Sequence, residues 1–265
     1  MTTVKRLVLK PPLLKQLILA SGLLLGGAVC HADEITILSA AAVQAPLMEI
    51  VARFEKTTKH TVRIEYATAG GVDAALKGGG AKPTPDIVIN SRERLLALHQ
   101  AGVVFAAPLD LGVVQMGIAA RRGAPKPDIS SLEGFKASLL AARSIAYGNP
   151  ARGATTGIHF AKMLDQMGIA QSVNAKALLR ANGLDVMRTV FAGDADYGIT
   201  QISEIVHMDS ELLVGPMPAE IQLNSTYSAS LRSATVSDAS KALMKTMVDA
   251  SARASFEHAG FKPAF

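Results

Sequence analysis

The chain has 265 residues, 49% apolar and 18% charged, a composition that folds around a core and excludes an intrinsically disordered chain. It has no Trp and only 4 Tyr, too few rings for a protein that works by stacking nucleic-acid bases. The net charge of +5 comes almost wholly from residues 1–32, where Lys5, Arg6, Lys10 and Lys15 face no acid, and beyond them 23 basic residues meet 22 acidic ones. A body so nearly neutral disfavours a phosphate-backbone binder.

The amino-terminal segment is laid out like a secretory signal. Positive charge at Lys5–Lys15 precedes an apolar run, Leu17–Val29, and Ala32 closes a small-residue cleavage site before Asp33 and Glu34. The apolar run covers 13 residues, short of the roughly 20 that cross a bilayer. The expectation is a periplasmic protein, cleaved near Ala32 and not inserted in the membrane. Lipid attachment at Cys30 is the alternative, although Val29 is a poor fit before it. Cys30 is the only cysteine, so the remaining chain has no disulfide, no thiol nucleophile and no Cys-held zinc.

After Asp33 the pattern alternates strand and helix. Ile35–Ser39 is a short β-rich run, and Val43, Leu47, Ile50, Val51 and Phe54 form a helical stripe. Thr61–Ala67 alternates like a strand, a short helix ends on Gly78–Gly80, and Asp86–Asn90 is a continuous apolar strand of the kind buried on both faces. Ser91 starts the next helix and Gly102 follows its end. Strands follow at Leu111–Ala120, Ser144–Gly148, Asp196–Thr200 and Glu211–Gly215. Helices are expected at Leu132–Ala142, Thr156–Met167 and Leu184–Phe191, with a short one from Ser203. Tyr227–Leu231 fits a strand returning to the first unit, and Ser237 starts a carboxyl-terminal helix. This order predicts an α/β protein of two units, each a mainly parallel sheet flanked by helices.

Ligands of open parallel sheets bind beyond the carboxyl ends of the strands, which singles out five loops. Ala42, Val43 and Gln44 leave backbone N–H groups open at a helix start, where a dipole favours an anion. Their small size serves tight packing equally well. Thr68, Ala69 and Gly70 repeat the pattern, and Asn90 ends the third strand. The richest loop, 149–157, offers Arg152, Thr155 and Thr156 at one helix start. A guanidinium there can grip a carboxylate, and the threonines can cap the helix. Thr200 and Gln201 form the last loop. Catalytic candidates are thin: His159, whose helical face is otherwise polar, and Glu204. No ligand spacing supports a metal, and no cofactor motif is present.

These motifs, ITILSAAA, EYATAGGVDAAL, PDIVIN, SIAYGNPARGATTGIHFAKML, DYGIT and HAGFKP in that order, resemble type 2 periplasmic solute-binding proteins, molybdate binders in particular. The resemblance implies two lobes closing over a cleft, residues 33–110 with 220–265 and residues 111–219. It also implies delivery of a small anion to an ABC permease by a monomer. The pattern departs at Ala42 and Gln201, where that group carries a serine and a tyrosine, at Thr155–Thr156, and at Arg152. Those departures shift the expected ligand from molybdate to an organic carboxylate. The alternative on the same scaffold is a cofactor-independent isomerase of a small polycarboxylate, of the aconitate isomerase kind, working by an allylic proton shift.

Overall fold

The computed structural model describes residues 32–78 and 84–265, so the export signal expected upstream of Ala32 lies outside the described residues. In chain order the elements are β1 (Glu34–Ala40), α1 (Gln44–Thr58), β2 (Thr61–Ala67), α2 (Ala69–Lys77), β3 (Ile87–Ser91), α3 (Arg92–Gln100) and β4 (Leu109–Ala120). Then come α4 (Leu132–Ala141), β5 (Ile145–Gly148), α5 (Thr155–Gln166), α6 (Ala170–Asn174), β6 (Ala177–Arg180), α7 (Gly183–Phe191), β7 (Tyr197–Gln201) and α8 (Ile202–Asp209). The chain ends with β8 (Leu213–Pro216), β9 (Asn224–Leu231), α9 (Asp238–Thr246), α10 (Ala250–His258) and β10 (Phe261–Pro263).

The strands run in the order β2-β1-β3-β9-β4-β7-β5-β6, with β8 and β10 also paired to β4. The flanks are parallel, β1 with β2 and β3, and β5 with β6 and β7. The antiparallel pairs all involve the two long strands β4 and β9. Residues Leu109–Gln115 of β4 pair with β9, whereas Met116–Ala120 pair with β7. One strand therefore serves two sheets. This two-sheet α/β architecture is the fold that the strand–helix alternation predicts.

Four apolar clusters fill the layers. The stripe Leu47, Ile50, Val51 and Phe54 of α1 packs on β1 and β3 together with Leu243, Met247 and Phe256 of the carboxyl-terminal helices. Phe135, Leu139, Phe160 and Leu164 of α4 and α5 cover β5 and β7 on one face, and Val186, Met187 and Val190 of α7 cover the other. Leu95 and Leu98 of α3 join Val72 and Leu76 of α2 over Leu38 and Val88. Several short elements were not legible in the sequence: β10 was missed, and the carboxyl-terminal helix read from Ser237 is two helices, α9 and α10. β6 and α6 span four and five residues, too short for either periodicity to show. Ser91 does take the position before α3, but its side chain makes no cap bond. Its own N–H donates to Asn90 Oδ1 at 2.8 Å instead.

Asp196 fixes the start of β7. Its buried carboxylate accepts from Arg121 Nε at 2.8 Å and from Arg143 Nη2 at 2.7 Å and the Arg143 N–H at 2.9 Å. The Arg143 hydrogen bonds, ahead of those from Arg121, hold this carboxyl well below the usual carboxylate range. A depressed folded pKa stabilises above the ordinary value and loses that contribution as pH falls through the folded one. Replacing Asp196 by Asn should cost about 3 kcal/mol by leaving the partners short of a charge, a fall of roughly 6–12 °C in Tm. Thermal melts between pH 7 and pH 3 should show the two proteins converging as the parent is acidified.

Candidate functional site

Helix amino ends leave N–H groups without intrahelical partners, and several of them converge here. A partly open pocket is lined by Ala41 and Ala42 ahead of α1, Thr68 and Ala69 at α2, Thr155 and Thr156 at α5, and Asn182 and Gly183 at α7. Gln201, Glu204 and Tyr227 complete the wall. Alanines at positions 40, 41, 42, 67, 69 and 154 expose the backbone to it. Amides aimed at one point attract negative charge, with the helix dipoles aligned in the same sense.

The polar side chains are mostly occupied. Thr68 Oγ1 accepts from Gly71 N–H at 3.0 Å and donates to the Arg152 carbonyl at 2.7 Å. Asn182 caps α7 by accepting from Asp185 N–H at 2.9 Å. Gln201 Nε2 donates to Ser225 Oγ at 2.9 Å, which commits one of its two N–H donors. Gln201 Oε1 and Thr155 Oγ1 are buried with no partner at standard hydrogen-bond geometry, but both side chains sit within weaker hydrogen-bonding reach of the Tyr227 hydroxyl, whose burial pushes its pKa up.

Glu204 is the one titratable carboxyl in the wall. Thr200 Oγ1 and, at 3.4 Å, the Gln201 N–H donate to its Oε2. Gly183 is required above it, because a Cβ there would run into the Glu204 and Thr200 oxygens. Burial pushes its pKa from 4.5 up to about 7, against the two hydrogen bonds, which lower it. The cavity thus joins anion-attracting amides to an acid that is near half-protonation at neutral pH.

Of the residues singled out from the sequence, Ala42, Thr68, Ala69, Thr155, Thr156, Gln201 and Glu204 line this cavity. Thr200 stands behind it, holding Glu204. Val43 is fully buried in the core beneath α1, and Gln44, its Nε2 donating to Met48 Sδ, lies outside. Asn90 is fully buried as a scaffold, donating to Ala69 O at 3.0 Å and Asp73 Oδ1 at 2.9 Å. His159 is turned away, its Nε2 at 2.9 Å from the Ile221 carbonyl. Arg152 is exposed and borders a wider outer chamber rather than the cavity.

The 149–157 loop contributes through its backbone instead. The Gly70 N–H donates to Gly153 O at 3.1 Å, and Thr68 reaches the Arg152 carbonyl beside it. This latch joins α2, on the β1–β2–β3 side, to the turn after β5. Asn182, Gly183, Tyr227 and Arg94 escaped the sequence reading. The first two follow the unrecognised strand β6. Tyr227 was placed on a strand, but nothing in the local pattern says which face it presents.

A single-chain α/β fold whose two sheets share β4, with helix amino ends gathered around a pocket suited to an anion, defines a periplasmic-type binding protein. The chain belongs to the bacterial extracellular solute-binding protein family, which it matches over residues 35–262. It is 31% identical over 236 residues to the aconitate isomerase of a Pseudomonas species, covering 86% of this chain and 87% of that one. The periplasmic molybdate-binding protein of Azotobacter vinelandii superposes with a TM-score of 0.72 at 18% identity, covering 86% of this chain and 98% of that one. L-phospholactate-bound PEB3 superposes with a TM-score of 0.65 at 13% identity, covering 86% and 99%. These two structural likenesses establish the fold.

Two outcomes test the site. Between about pH 4.5 and pH 7 the native state holds a proton on Glu204 that the unfolded chain has released, so stability falls as pH rises through that window. Glu204→Gln should flatten that slope, worth about 3 kcal/mol, in urea melts at pH 5 and pH 8. Gly153 has φ +72 and a Cβ there would sit 2.6 Å from the Gly70 Cα. Gly153→Ala should therefore cost roughly 1–3 kcal/mol and break the latch. Gly123→Ala, at φ +78 with open space around it, should cost only the backbone strain, and comparing their Tm values separates the two effects.

Proposed function

We propose that this protein binds a small unsaturated polycarboxylate outside the cytoplasmic membrane and isomerises it without a cofactor, with Glu204 moving the proton. The observation that carries this reading is a buried carboxyl, pushed up to about 7, inside a cavity otherwise furnished with helix amino ends. The near-full-length likeness to an aconitate isomerase gives the same direction.

The chemistry follows from the arrangement. A ligand carboxylate rests on the amides of Ala41, Ala42, Thr155 and Thr156. The ionised Glu204 takes a proton from the methylene flanked by a carboxylate and the double bond. The C–H electron pair spreads over the three-carbon unit and the adjacent carboxylate, whose growing charge the fixed N–H dipoles stabilise. The protonated Glu204 then returns the proton to the other end of that unit, and the double bond re-forms one position along. A pKa near the working pH suits one group acting in turn as base and acid. The two lobes, residues 33–110 with 220–265 and residues 111–219, close over the ligand, with the latch sealing the rim.

A transport receptor is the second reading, favoured by family membership. There the anion, a carboxylate rather than molybdate, passes unchanged to an ABC permease.

The deciding experiment follows cis- and trans-aconitate with the purified chain by proton NMR in D2O. The isomerase reading expects interconversion, deuterium incorporation at the exchanging carbons, and a loss of about 100-fold or more in rate for Glu204→Gln. A carboxylate that raises Tm and emerges unchanged makes the protein a receptor. A chain stabilised by molybdate or sulfate and indifferent to carboxylates overturns both.

A further inference from the structure

We propose that Arg94 clamps a second carboxylate of the ligand, and so is the residue that makes this site select polyanionic acids over single-headed ones. The inference rests on the polycarboxylate reading and deepens it.

The pocket is lined by an acid, Glu204, and by no basic side chain. Its amides can balance one carboxylate, but a ligand with two or three needs a cation at the edge. Two clefts adjoin the pocket. One, open to solvent, shares Thr155 with it. The other, wider and more open, shares Thr68 and Asn182. Arg94 lines both clefts. Its charge also reaches into the cavity, where it favours the ionised form of the buried Tyr227 hydroxyl.

Arg94 is held for this task. Its Nη1 donates to Asp73 Oδ2 at 2.5 Å, and Asp73 Oδ1 accepts from Asn90 Nδ2 at 2.9 Å. Asn90 is fully buried and anchored on the Ala69 carbonyl at the start of α2. The guanidinium carries five donors. One donates to Asp73, so an edge remains to meet a carboxylate with parallel hydrogen bonds. The neighbouring cations are placed otherwise. Arg92 lines the smaller cleft too, beside Glu93, but pairs with Asp110 and is half exposed, and Arg152 borders only the larger cleft, exposed to solvent. The buried Thr155 hydroxyl, beside that of Tyr227, stands on the wall shared by the pocket and the smaller cleft.

The test uses propane-1,2,3-tricarboxylate, which lacks the double bond and cannot be isomerised, titrated calorimetrically into the purified chain. Arg94→Gln should weaken its binding about 10- to 100-fold, and Arg94→Lys, which keeps the charge but loses the fork, should fall between. Asp73→Asn loosens the guanidinium but leaves its charge, and should weaken binding less than Arg94→Gln does, by about 3- to 10-fold. Should Arg94→Gln bind as the parent does, the clamp is wrong. Equal losses in Arg94→Gln and Asp73→Asn, or a drop in Tm that accounts for the lost binding while Arg94→Lys binds normally, reduce Arg94 to a structural ion pair and also overturn it. A parent chain that takes no tricarboxylate overturns the preceding reading, and this one with it.

Discussion

Backbone amides left without partners at helix amino ends are the constraint around which this protein is organised. Each costs free energy when buried, and the turn before α1 and the starts of α2, α5 and α7 all border one pocket, although Gly70, Gly71 and Asp185 already give their N–H groups to protein oxygens. The small residues at positions 40–42, 67, 69 and 154 keep that surface open. The sheet topology makes the arrangement possible. Parallel flanks direct the carboxyl ends of β1, β2, β5 and β7 toward the same region, and β4 carries both sheets so that the two sets of loops face one another.

The same economy explains the seam. Where the α2 start meets the 149–157 turn, the contact is backbone on backbone, Gly70 on Gly153, with Thr68 bridging to the Arg152 carbonyl. Two chains can approach this closely only where neither carries a Cβ. The turn's positive φ at Gly153 points the carbonyls of Arg152 and Gly153 back across the seam. A loop that looks like a ligand grip in one dimension is therefore a clasp in three, and its arginine side chain is left in solvent.

Glu204 gives the cavity a second property. A pocket made only of neutral donors can hold an anion and release it unchanged. A carboxyl buried among those donors titrates near neutrality, because desolvation outweighs the hydrogen bonds from Thr200 and Gln201, and the arrival of an anion pushes it in the same direction. A titratable group at such a place is the feature that can separate an enzyme from a receptor on a shared scaffold.

The sequence by itself determined the alternation of strands and helices, the two-sheet class and the loops around the cavity, because apolar periodicity and cap residues are local and survive without neighbours. It placed Thr155, Thr156, Gln201 and Ala42 at the cavity, since small and hydroxyl residues at strand–helix turns mark where backbone is exposed. Which polar atoms stay free there only the tertiary structure decided. Gln201 bonds Ser225 from β9, Thr68 bonds a carbonyl from residue 152, and Asn90 supports Asp73 and Arg94. Tyr227, 2% exposed, enters the wall only because β9 returns between the two units. The acidity of Glu204 is likewise invisible in one dimension: it is set by desolvation, which depends on what closes over a side chain rather than on what precedes it along the chain.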